Sequence, residues 1–287
     1  VITPPNSFIA STAVIVHLGA KPVFVDVLND QNIDPNEIQS AITKKTKVIM
    51  PVHLSGRMSQ MDKIMSIAKK NKISVVEDAA QSVGSKYKNK MSGSYGDLGC
   101  FSAHPLKNLN ALGDSGYLTT NNFKYYKKIK SLSNHGMENR NIIKNFGYVS
   151  RMDNLQAAFL NYKLKNLDKV ISQRRKNAQI YMKELDRKFV FFNDEKKNEF
   201  NTYHTFVVQV RLRNKLRKYL LDKGIATSIH YPVPIHLQPA SKFLGYKIGD
   251  FKITETQSQK ILTLPVNENL SSDQVKYICR CINKFYV

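Results

Sequence analysis

The sequence predicts an α/β fold with a parallel β-sheet, because strand patterns and helix patterns alternate along the first half of the chain. Short apolar runs at residues 22–26, 47–52 and 73–77 have the composition of buried strands, and helical patterns lie between them. Short connections of this kind are typical of βαβ units, whose strands pair in parallel. A chain of 287 residues is long enough for one large domain and a smaller one, each with its own core.

Helix signals separate the predicted strands. Residues 9–17 are apolar and rich in small side chains, as in a helix. Asp34 followed by Pro35 is typical of a helix start, because Asp caps backbone N–H groups and Pro suits the first turn. Ser59 with Asp62 resembles a capping box. The helix that they would open carries apolar residues at helical spacing: Met61, Ile64, Met65 and Ala68.

From Gly93 onward the chain has a different organisation. A glycine-rich stretch from Gly93 to Gly116 indicates tight turns or backbone close to a ligand. Residues 152–185 are predicted to be helical, with one apolar face formed by Leu155, Ala158, Phe159 and Tyr162. Short alternating strands such as 205–210 follow, and the chain ends in a helical segment at 272–285. These changes predict a large domain at 1–170 and a smaller α+β domain at 171–287.

Composition limits the classes of function. The chain has 44 Lys and Arg against 22 Asp and Glu, a net charge of +22, which raises the question of nucleic-acid binding. The lysines are scattered and are not interleaved with stacking aromatics, so a solvated surface is favoured over nucleic-acid binding, with attraction of anionic nucleotide substrates as the alternative.

Location and metal content are predicted from the same composition. No apolar run approaches the length of a membrane span, and no signal peptide is recognisable, so we expect a cytoplasmic protein without a membrane partner. Cys100, Cys279 and Cys281 have no metal-ligand spacing, and we expect reduced thiols and no metal site.

Asp78 and Lys107 are the first candidate functional residues. Asp78 follows the strand at 73–77, and in open α/β sheets ligands bind at the carboxyl ends of strands. Asp also caps helices, so position alone leaves both roles open. Lys107 lies in the glycine-rich stretch among apolar neighbours, where burial would favour the neutral, nucleophilic amine. With 44 Lys and Arg in the chain, an ordinary surface lysine is the alternative.

An ordered set of motifs favours the functional roles of Asp78 and Lys107 over the ordinary ones. Two of them are Val-Glu-Asp-Ala-Ala-Gln-Ser at 76–82 and His-Pro-Leu-Lys-Asn-Leu at 104–109. The others fall, in order, at residues 4–10, 19–26, 46–56, 96–102, 113–116, 150–158 and 229–238. Together they closely resemble the DegT/DnrJ/EryC1/StrS family of sugar aminotransferases, and the resemblance runs the length of the chain. It implies the fold of type I pyridoxal-phosphate enzymes, with a mixed, mostly parallel sheet flanked by helices.

The resemblance assigns roles to individual residues around pyridoxal 5'-phosphate (PLP). Lys107 matches the lysine that holds the cofactor through a Schiff base and moves the proton during catalysis. Asp78 matches the acid that pairs with the ring nitrogen and keeps it protonated. Gln81 matches a residue near the phenolic oxygen, Ser102 a hydroxyl that contacts the phosphate, and Phe8 the aromatic side chain that stacks on the ring.

The substrate side of the site is less defined by the motifs. Four histidines are tentative substrate-site residues, namely His53, His104, His230 and His236; a structural role is as favourable for the first two, and the last two would lie near the sugar nucleotide. The resemblance implies transfer of an amino group, with glutamate as donor, to a nucleotide-linked keto sugar for lipopolysaccharide, surface-glycan or antibiotic sugar synthesis. It also implies a homodimer with the active site at the interface.

Two other functions stay open. Sugar dehydratases of the same family carry His in place of the lysine, and a basic binding or regulatory protein without catalysis is the second alternative.

The chain departs from the family pattern twice. The family has a Ser-Gly-Thr phosphate loop upstream of position 1, so we expect an N-terminal segment to be missing and the chain alone to bind PLP poorly. Val149 stands where members often carry an Asn that reaches the phosphate across the dimer.

Overall fold

The computed structural model describes residues 1–287 and contains fourteen strands and nine α-helices. The strands are β1 (Ile2–Thr3), β2 (Val23–Phe24), β3 (Val48–Ile49), β4 (Ser74–Asp78), β5 (Lys86–Tyr87), β6 (Lys90–Met91), β7 (Leu98–Ser102), β8 (Gly116–Thr119), β9 (Met137–Asn139), β10 (Ile142–Ile143), β11 (Val190–Phe191), β12 (Glu199–Phe200), β13 (Phe206–Val210) and β14 (Ile261–Leu264). The helices are α1 (Ile9–His17), α2 (Pro35–Ala41), α3 (Met61–Asn71), α4 (Phe123–Leu132), α5 (Asn154–Leu164), α6 (Leu167–Glu184), α7 (Arg213–Asp222), α8 (Lys252–Lys260) and α9 (Ser272–Tyr286).

A six-stranded sheet forms the centre of the N-terminal part, in the order β2-β1-β3-β4-β7-β8. The first five strands run parallel, and β8 is antiparallel to β7. This confirms the predicted α/β class with a mixed, mostly parallel sheet. Because the parallel strands end at one edge, the loops that follow β1, β3, β4 and β7 meet there, as expected of a ligand-binding edge.

The apolar core beside this sheet comes from the predicted strands and helices. It includes Ile2, Ile38, Ile49, Ile64 and Val75, all almost inaccessible to solvent. Each such side chain stabilises the fold by about 1.5–3 kcal/mol when buried. The strands that end at the ligand-binding edge are therefore anchored by a buried apolar core.

Local signals predicted two helix starts with different outcomes. The helix at Ile9–His17 and the Asp34 cap are confirmed, since Oδ1 of Asp34 accepts a hydrogen bond of 2.8 Å from the backbone N–H of Asn36. The capping box of Ser59 and Asp62 is wrong. The Ser59 hydroxyl donates to the Val52 carbonyl, and the Asp62 carboxylate accepts bonds from other parts of the chain. Both side chains serve tertiary contacts that a local pattern does not reveal.

The predicted helix at 152–185 is two helices, α5 and α6, separated at residues 165–166. The predicted apolar face of α5 does not pack into the core, because Leu155 is 71% and Tyr162 64% exposed. Leu160 is buried instead. The apolar residues of α5 therefore lie mainly on the surface.

The C-terminal part is built on a three-stranded antiparallel sheet in the order β11-β13-β14, and α6, α7 and α9 supply its core. The predicted boundary at residue 170 falls inside α6. Leu167 and Ile171 pack with Leu160, whereas Ala178 and Tyr181 belong to the C-terminal core. None of the helices is long and apolar enough to cross a membrane.

Candidate active site

A cavity of about 430 Å³ opens where the parallel strands end. Phe8 follows β1, Asp78 ends β4 and Ser102 ends β7, so topology alone brings these three residues to one edge. The cavity is lined by seven of the residues singled out from the sequence: Phe8, Asp78, Gln81, Ser102, His104, Lys107 and His230. His53 and His236 do not line it.

Lys107 lies in the loop between β7 and β8, and its backbone N–H donates to the carbonyl of His104 at 2.8 Å. The side chain is half-buried and takes part in no ion pair. Burial lowers the pKa of Lys107, and the negative charge of Asp78 only partly opposes this effect. Burial therefore favours the neutral amine, which is the nucleophilic form. This environment differs from that of the solvated surface lysines.

Asp78 carries its carboxylate into the cavity on a fixed backbone. Its N–H donates to the Pro51 carbonyl at 2.9 Å, and its own carbonyl accepts from the His53 N–H at 2.9 Å. Its Oδ2 accepts a hydrogen bond of 2.6 Å from the Ser11 hydroxyl, and Oδ1 accepts one of 3.1 Å from the Ala80 N–H. No cationic side chain pairs with it, so the carboxylate is oriented but not neutralised.

Gln81 is held between two parts of the chain. Its Oε1 accepts a hydrogen bond of 2.7 Å from the backbone N–H of Ser55, and its Nε2 donates to the hydroxyl of Tyr231 at 3.4 Å. Burial, with the nearby Asp78 charge, raises the pKa of Tyr231 to about 12, so its hydroxyl is neutral. The ring of Tyr231 lies 6.0 Å from that of Phe8, centroid to centroid.

Ser102 and His104 form the wall beside Lys107. The Ser102 hydroxyl accepts a bond of 3.3 Å from the His104 N–H, and Nδ1 of His104 accepts one of 3.2 Å from Leu106. Its Nε2 lies 3.8 Å from the exposed carboxylate of Asp114. Both residues line the cavity.

His53 has the structural role that the sequence left open. It is fully buried, its Nδ1 accepts from the Ser59 N–H at 3.2 Å, and its Nε2 donates to Glu77 at 2.9 Å. Burial alone would raise the pKa of Glu77, but hydrogen bonds from His53 and from the N–H groups of Gly96 and Gly93 hold it below its ordinary value. With both ring nitrogens occupied, His53 supports the strand that ends at Asp78 and is not available to a substrate.

The two C-terminal histidines, His230 and His236, lie in different environments. His230 lines the cavity, and its Nδ1 lies 2.9 Å from the hydroxyl of Thr263. Burial and the positive charge of Lys107 lower the pKa of His230. His236 is buried outside the cavity, where its Nε2 contacts Glu255 at 3.0 Å and its ring packs edge-on against Phe251. Its expected place near the substrate is therefore corrected to a packing role.

Ten further residues line the cavity, and Ser11, His204, Thr205 and Tyr231 are among them. Tyr231 belongs to the same motif as His230, so the sequence does contain a signal for it. Burial holds the pKa of His204 well below its ordinary value, and the charges of Lys107 and Arg174 add to this effect. Its Nδ1 is enclosed without a partner. Only the folded chain brings His204 and Thr205 to the cavity, because they lie about 100 residues beyond Lys107.

Val149 lies away from the cavity lining and exposes most of its side chain. Its backbone forms an isolated bridge with Asn134. The departure from the family pattern at this position therefore falls on the surface of the chain.

Comparisons with known proteins give a single family. The sequence model of the DegT/DnrJ/EryC1/StrS aminotransferase family matches residues 1–283. The chain belongs to this family. A pleiotropic regulatory protein of Geobacillus stearothermophilus is 39% identical over 290 residues, which cover 100% of this chain and 78% of the relative. The dTDP-3-amino-3,6-dideoxy-alpha-D-galactopyranose transaminase of Aneurinibacillus thermoaerophilus is 38% identical over 288 residues, or 99% and 78% of the two chains.

Solved structures agree with this membership. DesV from S. venezuelae, solved in complex with a ketimine intermediate, superposes with a TM-score of 0.96 at 30% identity and covers 99% of this chain and 77% of its own. A related chain from Streptococcus pneumoniae, known in its PLP form, has a TM-score of 0.92 at 27% identity over 99% and 79% of the two chains. The family is PLP-dependent, and this member of it is a PLP-dependent aminotransferase.

The residues of the cavity fit this cofactor. A carboxylate without a counter-cation at Asp78 suits a protonated ring nitrogen, and a half-buried amine without an ion pair at Lys107 suits a carbonyl carbon. A volume of about 430 Å³ is within the range of cofactor sites. No group of His, Cys, Asp and Glu side chains has the arrangement of a metal site.

Proposed function

We propose that this aminotransferase moves an amino group from glutamate to a nucleotide-linked keto sugar, with Lys107 as the catalytic residue. The observation that carries the proposal is the shared cavity of Lys107 and Asp78, in which the lysine is half-buried and the carboxylate is fixed by Ser11. These are the two groups that PLP chemistry needs at opposite ends of the cofactor ring.

Each cavity residue has a distinct task in this proposal. When bound, the cofactor supplies an electron sink for the pair left behind on loss of a proton. Asp78 holds the proton at the ring nitrogen, and Nζ of Lys107 moves the proton between the reacting carbons as a general acid and base. Phe8 would cover the ring, and Gln81 would donate to its phenolic oxygen. The Ser102 hydroxyl would contact the phosphate.

A nucleotide sugar as substrate is supported by the relatives and by charge. The Aneurinibacillus thermoaerophilus relative is named as a transaminase of a dTDP-linked amino sugar, and one from Acidithiobacillus ferrooxidans as an aminotransferase of a UDP-linked sugar. A net charge of +22 attracts anionic substrates such as nucleoside diphosphates. His104 and His230, which line the cavity, are the histidines we propose to contact the sugar. The product would enter the synthesis of lipopolysaccharide, another surface glycan or an antibiotic sugar.

A homodimer with the cavity near its interface is the assembly we propose. Apolar side chains that expose more than half of their surface lie near the cavity rim, on the β9–β10 hairpin, in the segment that follows it and on α5: Leu106, Leu112, Ile143, Phe146, Tyr148, Leu155 and Tyr162. Large exposed apolar surfaces mark interaction sites. The rim and α5 are joined, since the Leu112 N–H donates to Oε1 of Gln156 at 2.8 Å. A partner on α5 would therefore reach the edge of the cavity.

Neither alternative gains support from the cavity. The dehydratases of the family carry His where this chain has Lys107, so the nucleophilic amine opposes that activity. One relative is named as a regulatory protein, but Asp78, Gln81 and Lys107 face one cavity here, and a binding protein has no need of that arrangement. Transamination accounts for all three residues.

The decisive experiment separates the two half-reactions. The purified protein is incubated with PLP and glutamate, and the visible absorption band of the bound cofactor is expected to disappear as its amine form accumulates. A panel of dTDP- and UDP-linked 3- and 4-keto sugars is then added, and the productive substrate restores the band. Lys107→Ala should show neither band nor turnover, whereas Lys169→Ala, an exposed lysine on α6, should behave as wild type. Turnover by Lys107→Ala would refute the assignment.

A further inference from the structure

A chain of hydrogen bonds crosses from the C-terminal sheet to the side chain of Gln81. Thr205, which precedes β13, donates from Oγ1 to the hydroxyl oxygen of Ser55 at 2.8 Å. Ser55 lies in a short 3₁₀ helix at Leu54–Gly56 after β3, and its backbone N–H donates to Oε1 of Gln81 at 2.7 Å. The two hydroxyl residues are 150 positions apart in the chain. The contact therefore joins the two halves of the protein next to the cavity.

Ser55 has an unusual backbone that needs support. Its φ of 61° lies in the left-handed region, which is unfavourable for a residue with a Cβ atom. The neighbouring Gly56 is pressed against the same segment of the C-terminal part. A Cβ there would lie 2.8 Å from both Oγ1 of Thr202 and the N atom of Tyr203, and the Thr202 N–H donates to the Gly56 carbonyl at 3.1 Å. The turn at 55–56 is thus held in place by residues 202–205.

The orientation of the Gln81 amide follows from this turn. A backbone N–H can bond only to the oxygen of the amide, so the Ser55 N–H fixes Oε1 on the side of the turn. Nε2 is then directed to the other side, where it donates to the Tyr231 hydroxyl at 3.4 Å. Gln81 consequently presents a hydrogen-bond donor towards the cavity.

We infer that Ser55 and Thr205 form a positioning pair that fixes Gln81 as a donor to the phenolic oxygen of the cofactor. The inference rests on the proposed role of Gln81 in the site. A donor at that oxygen stabilises its anionic form, so the linkage between Lys107 and the cofactor loses its proton more easily. When the pair is broken, the turn at Ser55 loses its support and the amide of Gln81 can rotate. The phenolic oxygen then loses part of its donor.

The test is a spectrophotometric pH titration of the PLP-loaded protein, which measures the pH at which the visible band changes. Thr205→Val removes the hydroxyl and keeps the shape of the side chain, and Ser55→Ala removes the acceptor and keeps the backbone N–H. Both should raise the midpoint by about half a pH unit or more, about a threefold change in proton affinity. Thr205→Ser restores a hydroxyl and should return the midpoint to the wild-type value.

The variant Gln81→Leu tests the role of Gln81 separately from the role of the Ser55–Thr205 pair. It should raise the midpoint at least as far as Thr205→Val, and adding Thr205→Val to it should cause no further change. An unchanged midpoint in Thr205→Val and Ser55→Ala, with a raised midpoint in Gln81→Leu, would overturn the positioning pair and leave the role of Gln81 intact. An unchanged midpoint in Gln81→Leu would overturn both. Far-ultraviolet circular dichroism shows whether each variant is folded, and Ser55→Ala decides the question if Thr205→Val is not.

Discussion

The hydroxyl of Ser11 lies 2.6 Å from Oδ2 of Asp78 and donates a hydrogen bond to it. Ser11 belongs to α1 and Asp78 ends β4, so the bond joins two elements that are 67 residues apart in the chain. It fixes the orientation of the carboxylate and the direction of its other lone pairs. Ser11 is therefore a positioning residue for the acid that we propose to pair with the ring nitrogen.

Ser11→Ala should lower kcat about tenfold, because a hydrogen bond to a charged group contributes about 1.5–3 kcal/mol. The neighbouring Thr12 is the matched control. It is also buried on α1, but its hydroxyl has no partner, so Thr12→Val should leave kcat close to wild type. Steady-state kinetics with saturating amino donor measure both. Equal losses in the two variants would indicate a general effect on α1 and not on Asp78.

Asp78→Asn should retain part of the PLP affinity but slow proton abstraction by about 10²–10³-fold, the usual effect of removing one preorganised electrostatic contact. The amide keeps the shape of the side chain but cannot hold a positive charge at the ring nitrogen. Asp114, which also lines the cavity but is 96% exposed at its side chain, is the control. Asp114→Asn should change the rate little. Single-turnover rates with deuterated glutamate report the proton step, and an unaffected rate in Asp78→Asn would remove this residue from its role.

His204 should make the stability of the cofactor-free protein depend on pH. Burial first, and then the charges of Lys107 and Arg174, hold its pKa well below the ordinary value of 6.5. Below pH 6.5 the unfolded chain binds a proton that the folded chain does not, so the free energy of unfolding falls as the pH falls. Above pH 6.5 both states are neutral and this contribution is fully present.

Replacing His204 by Gln removes that titration. The melting temperature of His204→Gln should therefore decrease less between pH 7 and pH 5 than that of the wild type, as measured by differential scanning calorimetry. His17, an exposed histidine on α1, supplies the control, since His17→Gln should retain the wild-type slope. A wild-type slope in His204→Gln would show that other groups control the acid lability.

The sequence predicted those parts of the fold that rest on local patterns. The helix at Ile9–His17 and the Asp34 cap needed only neighbouring residues. The capping box at Ser59 failed because its hydroxyl bonds to the Val52 carbonyl, seven residues away. The break between α5 and α6 was missed because the apolar residues of both helices suit helical spacing. The sequence showed an apolar face on α5 but not that it is exposed, because hydrophobic spacing does not distinguish a core from an exposed surface.

The candidate site, too, was predicted from the sequence only in part. Motifs identified Asp78 and Lys107, because the chemistry of the family is concentrated in short segments. Ser11, Thr205 and His204 have no motif of their own in our interpretation, and they reach the cavity through the packing of α1 and of β13. His53 lies in a motif, but its position on the sheet places it next to Glu77, and both are buried behind Asp78. A motif gives the residues that matter without stating which of them touch the ligand.

The exposed face of α5 leads to a prediction about assembly. Leu155 is 71% exposed on this helix, and Leu221 is 64% exposed on α7 in the C-terminal part. If α5 lies in the proposed dimer interface, Leu155→Glu buries a charge without a partner there and should weaken dimerisation at least tenfold, or about 1.4 kcal/mol. Leu221→Glu places the same charge on a surface away from the cavity and should not. Sedimentation velocity over a concentration series measures the dimerisation of both variants. Since α5 is joined to the cavity rim through Gln156 and Leu112, we expect PLP affinity to fall with the dimer. A wild-type dimer in Leu155→Glu would exclude this face of α5 from the interface.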